Sequence, residues 1–157
     1  MHIVVVGAGK IGSSASRWLV SAGHEIAVVE IDRSKCAELD EALGEVSVHG
    51  DAADAGVLAK AGASRADVLI ATTSSDDLNL VACQLAKQHF GVLKTISVVN
   101  SLDHTGLFNT LGIDVTIDVT NLVLDRIQGG LSAHSVARLM PVSDRDGKAL
   151  VSVKIPP

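Results

Sequence analysis

Tyrosine is missing from this chain of 157 residues, and Trp18, Phe90 and Phe108 are its only large aromatic rings. Without aromatic faces there is no platform on which bases could stack. Basic charge is scarce as well: 13 Lys and Arg stand against 18 Asp and Glu, a net charge of −5. A nucleic-acid partner needs a basic footprint, so that class is excluded. No apolar run approaches the roughly 18 residues that span a bilayer, which argues against direct membrane insertion. No basic, apolar leader with a cleavage site is visible, since the first strand starts at His2. A soluble, cytoplasmic protein is the expectation. Cys36 and Cys83 lie far apart with no C-x-x-C and read as buried, inert thiols. The six histidines form no H-x-x-H or H-E-x-x-H group, so no metal site is expected.

What the chain does have is small aliphatic residues. It is 47% hydrophobic, mostly Ala, Val, Leu and Ile, which suits a parallel sheet buried on both faces. The stretch His2-Ile3-Val4-Val5-Val6 reads as a buried strand and breaks at once into Gly7-Ala8-Gly9-Lys10-Ile11-Gly12, a G-x-G-x-x-G opening a helical pattern. In that context Gly7 allows the tight turn, Gly9 lets a pyrophosphate approach the backbone, and Gly12 lets the helix pack close to the strand. The helix amides and dipole then face the phosphates. The expected acid follows. Glu30 ends a second strand, 18 residues beyond Gly12, where a ribose-binding carboxylate belongs.

Strand and helix patterns then alternate. Ile11, Ala15, Trp18 and Leu19 form the apolar stripe of the first helix, which Gly23 ends. A strand over 25–29 leads to a helix from about Ser34, its cap, to Leu43. A strand at 46–49 is followed by a helix over 55–60 and a strand at 67–71. A helix from about Asp76 to His89 buries Leu78, Ala82 and Leu85, and a strand at 95–99, a helix over 103–111 and a strand at 115–117 complete the series. The prediction is an α/β fold: a Rossmann-like, doubly wound parallel sheet of six strands in the order 3-2-1-4-5-6. Residues 1–118 form this nucleotide-binding domain. Residues 119–157 supply an extension: a helix near 121–128, then a β-hairpin from 137–140 and 148–154 around the turn-rich 143–147. Two strands alone are marginal in water, so the hairpin needs something to pack on. Pro156-Pro157 ends the chain abruptly, and a piece of a longer protein is expected.

Several blocks together resemble the TrkA-N, or RCK, family of cytoplasmic regulatory domains of potassium uptake systems and channels. They are Gly7 to Gly12, Val28-Val29-Glu30-Ile31-Asp32, Val48-His49-Gly50-Asp51-Ala52, Ala66 to Thr73 with Asp77-Leu78-Asn79, and Leu107-Phe108 with Leu111-Gly112-Ile113-Asp114. Their order and spacing are specific, because a generic dehydrogenase lacks the Gly-Asp after strand three and the Asp/Asn helix start after strand four. The resemblance implies a subunit gated by NAD(H), or by ATP/ADP, beneath an integral-membrane potassium transporter or channel. It also implies a homo-oligomer, a dimer within a ring of four or eight, with the helix after strand six crossing to the neighbour. Asn100 stands where many relatives carry an arginine that reaches phosphate, and Lys10, in the phosphate loop, partly compensates.

Each candidate site residue has a plainer reading beside the functional one. The loop residues Gly7, Gly9, Lys10, Ile11 and Gly12 hold phosphate, or make a tight turn over an empty crevice. Glu30 accepts from ribose hydroxyls and repels a 2′-phosphate, favouring NAD(H) over NADP(H), or it is a solvated strand-end acid. Ile31, Asp32 and Arg33 edge the adenosine pocket or lie on the surface. Asp51 with Ala52 resembles the family's adenine contact, with capping as the alternative for Asp51. Thr72, Thr73 and Ser74 offer hydroxyls and amides to ribose or phosphate, or cap the next helix. Asn79 reads as structural, and His104 and His134 as surface residues.

Two classes of function remain. A hydride-transfer enzyme needs a substrate site and a general acid or base beside the nicotinamide. The nucleotide half supplies neither, the remaining residues are too few for a substrate domain, and no tyrosine is present. A binding and regulatory module is therefore preferred over a small NAD-dependent oxidoreductase, with no catalytic residue assigned.

Overall fold

A computed structural model describes residues 1–131, 136–138 and 151–153. By its internal contacts the chain divides after Asp118. The first unit alternates strand and helix: β1 (His2–Val6), α1 (Lys10–Ser21), β2 (Glu25–Glu30), α2 (Arg33–Leu43), β3 (Ser47–His49), α3 (Ala55–Lys60), β4 (Val68–Ala71), α4 (Asp76–Gln84), β5 (Lys94–Val99), α5 (Thr105–Thr110) and β6 (Val115–Asp118). The strands form one parallel sheet in the order β3-β2-β1-β4-β5-β6, the predicted Rossmann-like topology.

All five residues of β1 are buried, because helices cover both faces of the sheet. Successive side chains of a strand alternate between faces. Ile3 and Val5 join Leu19 of α1, Val28 and Leu39 of α2 in one core. Val4 and Val6 join Leu58 of α3, Leu69, Ala82 of α4 and Phe108 of α5 in the other. Cys36 and Cys83 are both buried and free.

Three local expectations are corrected. The buried face of α1 is Gly12, Ser16 and Leu19, while Ile11 and Trp18 are exposed. A Cβ on Gly12 would stand 1.9 Å from the Gly7 carbonyl oxygen, so this contact fixes the rotation of α1 and turns its small residues, not its largest, toward the sheet. The cap of α2 is Asp32, not Ser34: its Oδ1 accepts from the Ser34 amide at 2.8 Å and hydroxyl at 2.7 Å. On α4 the fully enclosed side chains are Asn79, Ala82 and Cys83, with Leu78 and Leu85 only partly buried against the core. The helical run to His89 is continuous, its last turn Leu85–His89 being a π-helix.

The second unit begins with α6 (Val119–Leu131), longer at both ends than its expected span. Leu122, Val123, Leu124, Ile127 and Leu131 are exposed on it. Then β7 (Val136–Arg138) pairs antiparallel with β8 (Val151–Val153). The expected turn at 143–147 and His134 lie outside the described residues. No described helix is long and apolar enough to cross a membrane.

Candidate functional site

Strand register brings the candidate residues together. Val6 of β1 pairs with Val29 of β2 and with Ala71 of β4. Gly7, Glu30 and Thr72 therefore leave the sheet side by side at its C-terminal edge, at the point where strand order reverses. Ligands of open α/β sheets bind at such a switch point.

The three glycines differ in what each permits. Gly7 has φ +94°, a left-handed value that favours glycine, and its amide donates to Val29 O at 2.8 Å. Gly12 packs against Gly7 and also against Thr72, whose Oγ1 would lie 2.6 Å from a Cβ there. Gly9, the N-cap of α1, has nothing within 4 Å of where a Cβ would lie, which leaves the loop open for a ligand to approach. The first bond of α1 outside its own ladder runs from Ser13 N to Gly9 O at 2.9 Å. Amides before it lack a helical acceptor and form an anion-binding end, with Lys10 and Ile11 exposed beside them.

Glu30 is only 8% exposed. Its Oε2 accepts from Ala8 N at 2.6 Å and its Oε1 from Asp32 N at 2.9 Å. One carboxylate thus ties the glycine loop to the start of α2. A carboxylate has about four acceptor positions, so two are left for ribose hydroxyls. Ile31, Asp32 and Arg33 are exposed just beyond it. Asp51 bonds within its own loop, Oδ1 accepting from Ala53 N at 2.9 Å, and Ala52 is buried in the core.

On the other side of the crevice Thr72 donates through Oγ1 to Val6 O at 2.9 Å. Thr73 is clamped by the enclosed Asn79, whose Oδ1 accepts from Thr73 N at 2.9 Å and Thr73 Oγ1 at 2.7 Å and whose Nδ2 donates to Val98 O at 3.1 Å. The structural reading of Asn79 stands. Ser74 is exposed, and Ser75 caps α4.

Sequence reasoning missed Asp76. Its carboxylate is nearly buried and accepts four bonds from the loop after β5: Asn100 N at 2.8 Å, Asn100 Nδ2 at 2.7 Å, Ser101 N at 3.0 Å and His104 Nδ1 at 2.8 Å. Burial pushes this carboxyl upward, but the bonds from Asn100, His104 and Ser101 outweigh it and hold it below the usual carboxylate range. His104 is therefore not a lone surface histidine. An acid in the first turn of a helix signals only dipole compensation, and nothing local announces partners 24 to 28 residues away.

A concavity of about 590 Å³ lies at the opposite edge of the sheet, lined among others by His2, Glu25, Lys60 and Arg65. Two of its charges pair, Arg65 Nη1 bonding Glu25 Oε2 at 3.0 Å, and it lacks the open helix amides of the glycine loop. The crevice at the C-terminal edge is the better candidate.

The TrkA-N domain profile matches residues 3–119. The chain belongs to the TrkA-N domain family. The match spans all six strands of the sheet. A "Trk system potassium uptake protein TrkA" of Mycobacterium tuberculosis is 32% identical over 160 aligned positions, covering 99% of this chain and 70% of the relative. A TrkA homolog of Methanothermobacter thermautotrophicus is 29% identical, covering 96% of this chain and 69% of that one. Among solved structures, the GsuK channel bound to NAD superposes with a TM-score of 0.74 at 27% identity, over 88% of this chain and 25% of its own. The same channel bound to ADP gives 0.70 at 29%, over 82% and 33%. Among the described residues of this TrkA-N domain no group of three His, Cys, Asp or Glu could hold a metal ion.

Proposed function

We propose that this chain is a nucleotide-binding regulatory domain of a potassium transport system, with NAD(H) as its ligand. The observation that carries the reading is the alignment of the Gly7 turn, the open amides of α1 and buried Glu30 at one level of the sheet, in a TrkA-N chain. The glycine loop and Lys10 receive the pyrophosphate. Glu30, with Ile31, Asp32 and Arg33, faces the adenosine ribose, Asp51 and Ala52 edge the adenine, and Thr72, Thr73 and Ser74 meet the second half. Glu30 repels a 2′-phosphate, so NAD(H) is preferred to NADP(H).

Relatives named for potassium uptake and a channel solved with NAD support this assignment. The ADP complex of that channel favours ATP/ADP sensing as the second reading. A regulatory role is preferred in either case to that of a small NAD-dependent oxidoreductase, because the relatives carry names of potassium uptake proteins and a channel. The domain works as a homo-oligomer, a dimer within a larger ring, at the cytoplasmic face of a membrane transporter or channel. Residues 1–118 hold the nucleotide and residues 119–157 form the extension. The exposed apolar residues of α6 are suited to a second copy of the chain. Regulation then requires that ligand favour one arrangement of the assembly, because equal affinity for both shifts nothing.

Isothermal titration of the protein with NAD⁺, NADH, ATP and ADP tests this. Binding of NAD⁺ or NADH that is lost in Glu30→Ala and weakened in Glu30→Gln is expected. Binding of ATP or ADP alone moves the assignment to the second reading. No binding by any of the four overturns both.

A further inference from the structure

We infer that Asn79 is a positioning residue for the nucleotide: acting through Thr73, it braces the Gly7 turn and so sets how tightly the glycine loop holds a diphosphate. This rests on the nucleotide reading of the crevice. It deepens that reading by tying the affinity to a fully enclosed side chain of α4.

β4 ends at Ala71, and Thr72 N still reaches Val6 O at 2.9 Å. Beyond Thr72 the strand ladder stops, yet the backbone of Thr73 is bonded as though a strand lay beside it. Asn79 Oδ1 accepts from Thr73 N at 2.9 Å, and Asn79 Nδ2 donates to Thr73 O at 3.0 Å. The same carboxamide accepts from the Thr73 hydroxyl at 2.7 Å and donates to Val98 O of β5 at 3.1 Å. A carboxamide has two N–H donors and two acceptor positions, and all four are used. Three of the four bonds go to one residue. The other donors to Thr73, Asn100 Nδ2 and Ser75 N, both stand at 3.2 Å. An enclosed amide is costly unless satisfied, and once satisfied it specifies one arrangement of its partners.

Thr73 is held against the glycine turn. A Cβ at Gly7 would lie 2.9 Å from Thr73 Cγ2 and 3.3 Å from Thr73 N, so the Thr73 methyl covers the bare face of Gly7. The turn is thereby gripped from two sides: its amide donates to Val29 O of β2 at 2.8 Å, and its other flank meets the loop after β4. Glycine at a φ of +94° has more freedom to drift than any other residue. An outside brace keeps the amides that follow it in one pose. Amides fixed in advance bind an anion more tightly than amides that must first be ordered.

The test reads the turn and the ligand separately, on the whole chain. Amide hydrogen exchange by NMR reports opening at Gly7, with Val5 of β1 as internal reference. Calorimetric titration with ADP, NAD⁺ and NADH, at a temperature where circular dichroism shows each variant folded, reports binding. Asn79→Ala removes the clamp; Asn79→Asp, which keeps the two acceptor bonds to Thr73 and loses both donated ones, replaces it if the alanine variant does not fold. Thr73→Ser keeps the hydrogen bonds and removes only the methyl over Gly7. In each variant, exchange at Gly7 should rise about fivefold or more with Val5 unchanged, and ADP should bind about fivefold or more weakly. With both positions changed the loss should barely exceed the larger single loss, because both act on one contact. Exchange at Gly7 that is unchanged, or that rises equally at Val5, overturns the inference. So do single losses that add in full. Variants that bind nucleotide as well as the wild type overturn the inference alone, whereas a wild type that binds none of the three overturns the nucleotide reading and this inference with it.

Discussion

The two edges of the sheet use their carboxylates differently. At the N-terminal edge they close the strands off. Asp67 accepts from His2 N at the start of β1, Asp40 from Val46 N and Ser47 N at β3, and Asp114 from Thr95 N at β5. Side-chain cations complete the seal through Arg65–Glu25 and Lys87–Asp114. At the C-terminal edge, Glu30 and Asp76 hold loops in place by their amides, but the first turn of α1 is left without acceptors. One edge is finished by the chain itself. The other is braced and left incomplete, which is how a binding edge differs from a structural one.

Gly12→Ala should break this contrast most severely. Its Cβ would meet the backbone oxygen of Gly7, which cannot swing away as a side chain can. We expect a loss of about 3 kcal/mol or more, read as a lowered melting temperature by circular dichroism, together with loss of nucleotide binding. Next comes the pair Glu30→Ala and Glu25→Ala. The first strands two amide hydrogens near a buried position and should cost about 2 kcal/mol as well as binding. The second removes an exposed ion pair and should leave melting and nucleotide titrations close to wild type. Equal effects from the two would erase the distinction between the edges.

Acid should act on both edges at once. The carboxyls of Asp76 and Asp114 lie below the usual range: burial of each pushes upward, and hydrogen bonds outweigh it, from Asn100, His104 and Ser101 in one case and from Lys87 and Thr95 in the other. A folded-state value below the unfolded one gives stability that is present above about pH 4 and is lost as pH falls through the folded value. Urea denaturation followed from neutral to acid pH should show this decline, and Asp76→Asn should make it shallower. The smallest effect is expected in the core. Burial pushes the Cys83 thiol up to about 12, so thiol reagents at mildly alkaline pH should leave it unmodified until urea is added.

What could be read in advance was what the chain states locally. The first strand, the glycine turn and Glu30 lie within 30 residues, and each step has its own residue signature. The apolar runs marked the strands, and their alternation with helices behind a glycine turn implied the doubly wound order. The buried face of α1 was not legible, because one backbone contact at Gly12, not the distribution of large side chains, sets its rotation. Asp32 and Ser34 are both capping residues, so the choice between them waited on where the helix turns. The clasp from Asp76 to His104 spans 28 residues and carries no motif, so only the folded chain brings it into view.

Glu30 bonds the glycine loop and the start of α2 through one carboxylate. Those two bonds fix the ribose side of the crevice from within the chain, so a nucleotide has little ordering left to impose there. Arrival is then governed by encounter, and departure by the strength of the finished contacts. A receptor of this kind tracks its ligand pool with a lag set by how quickly it lets go.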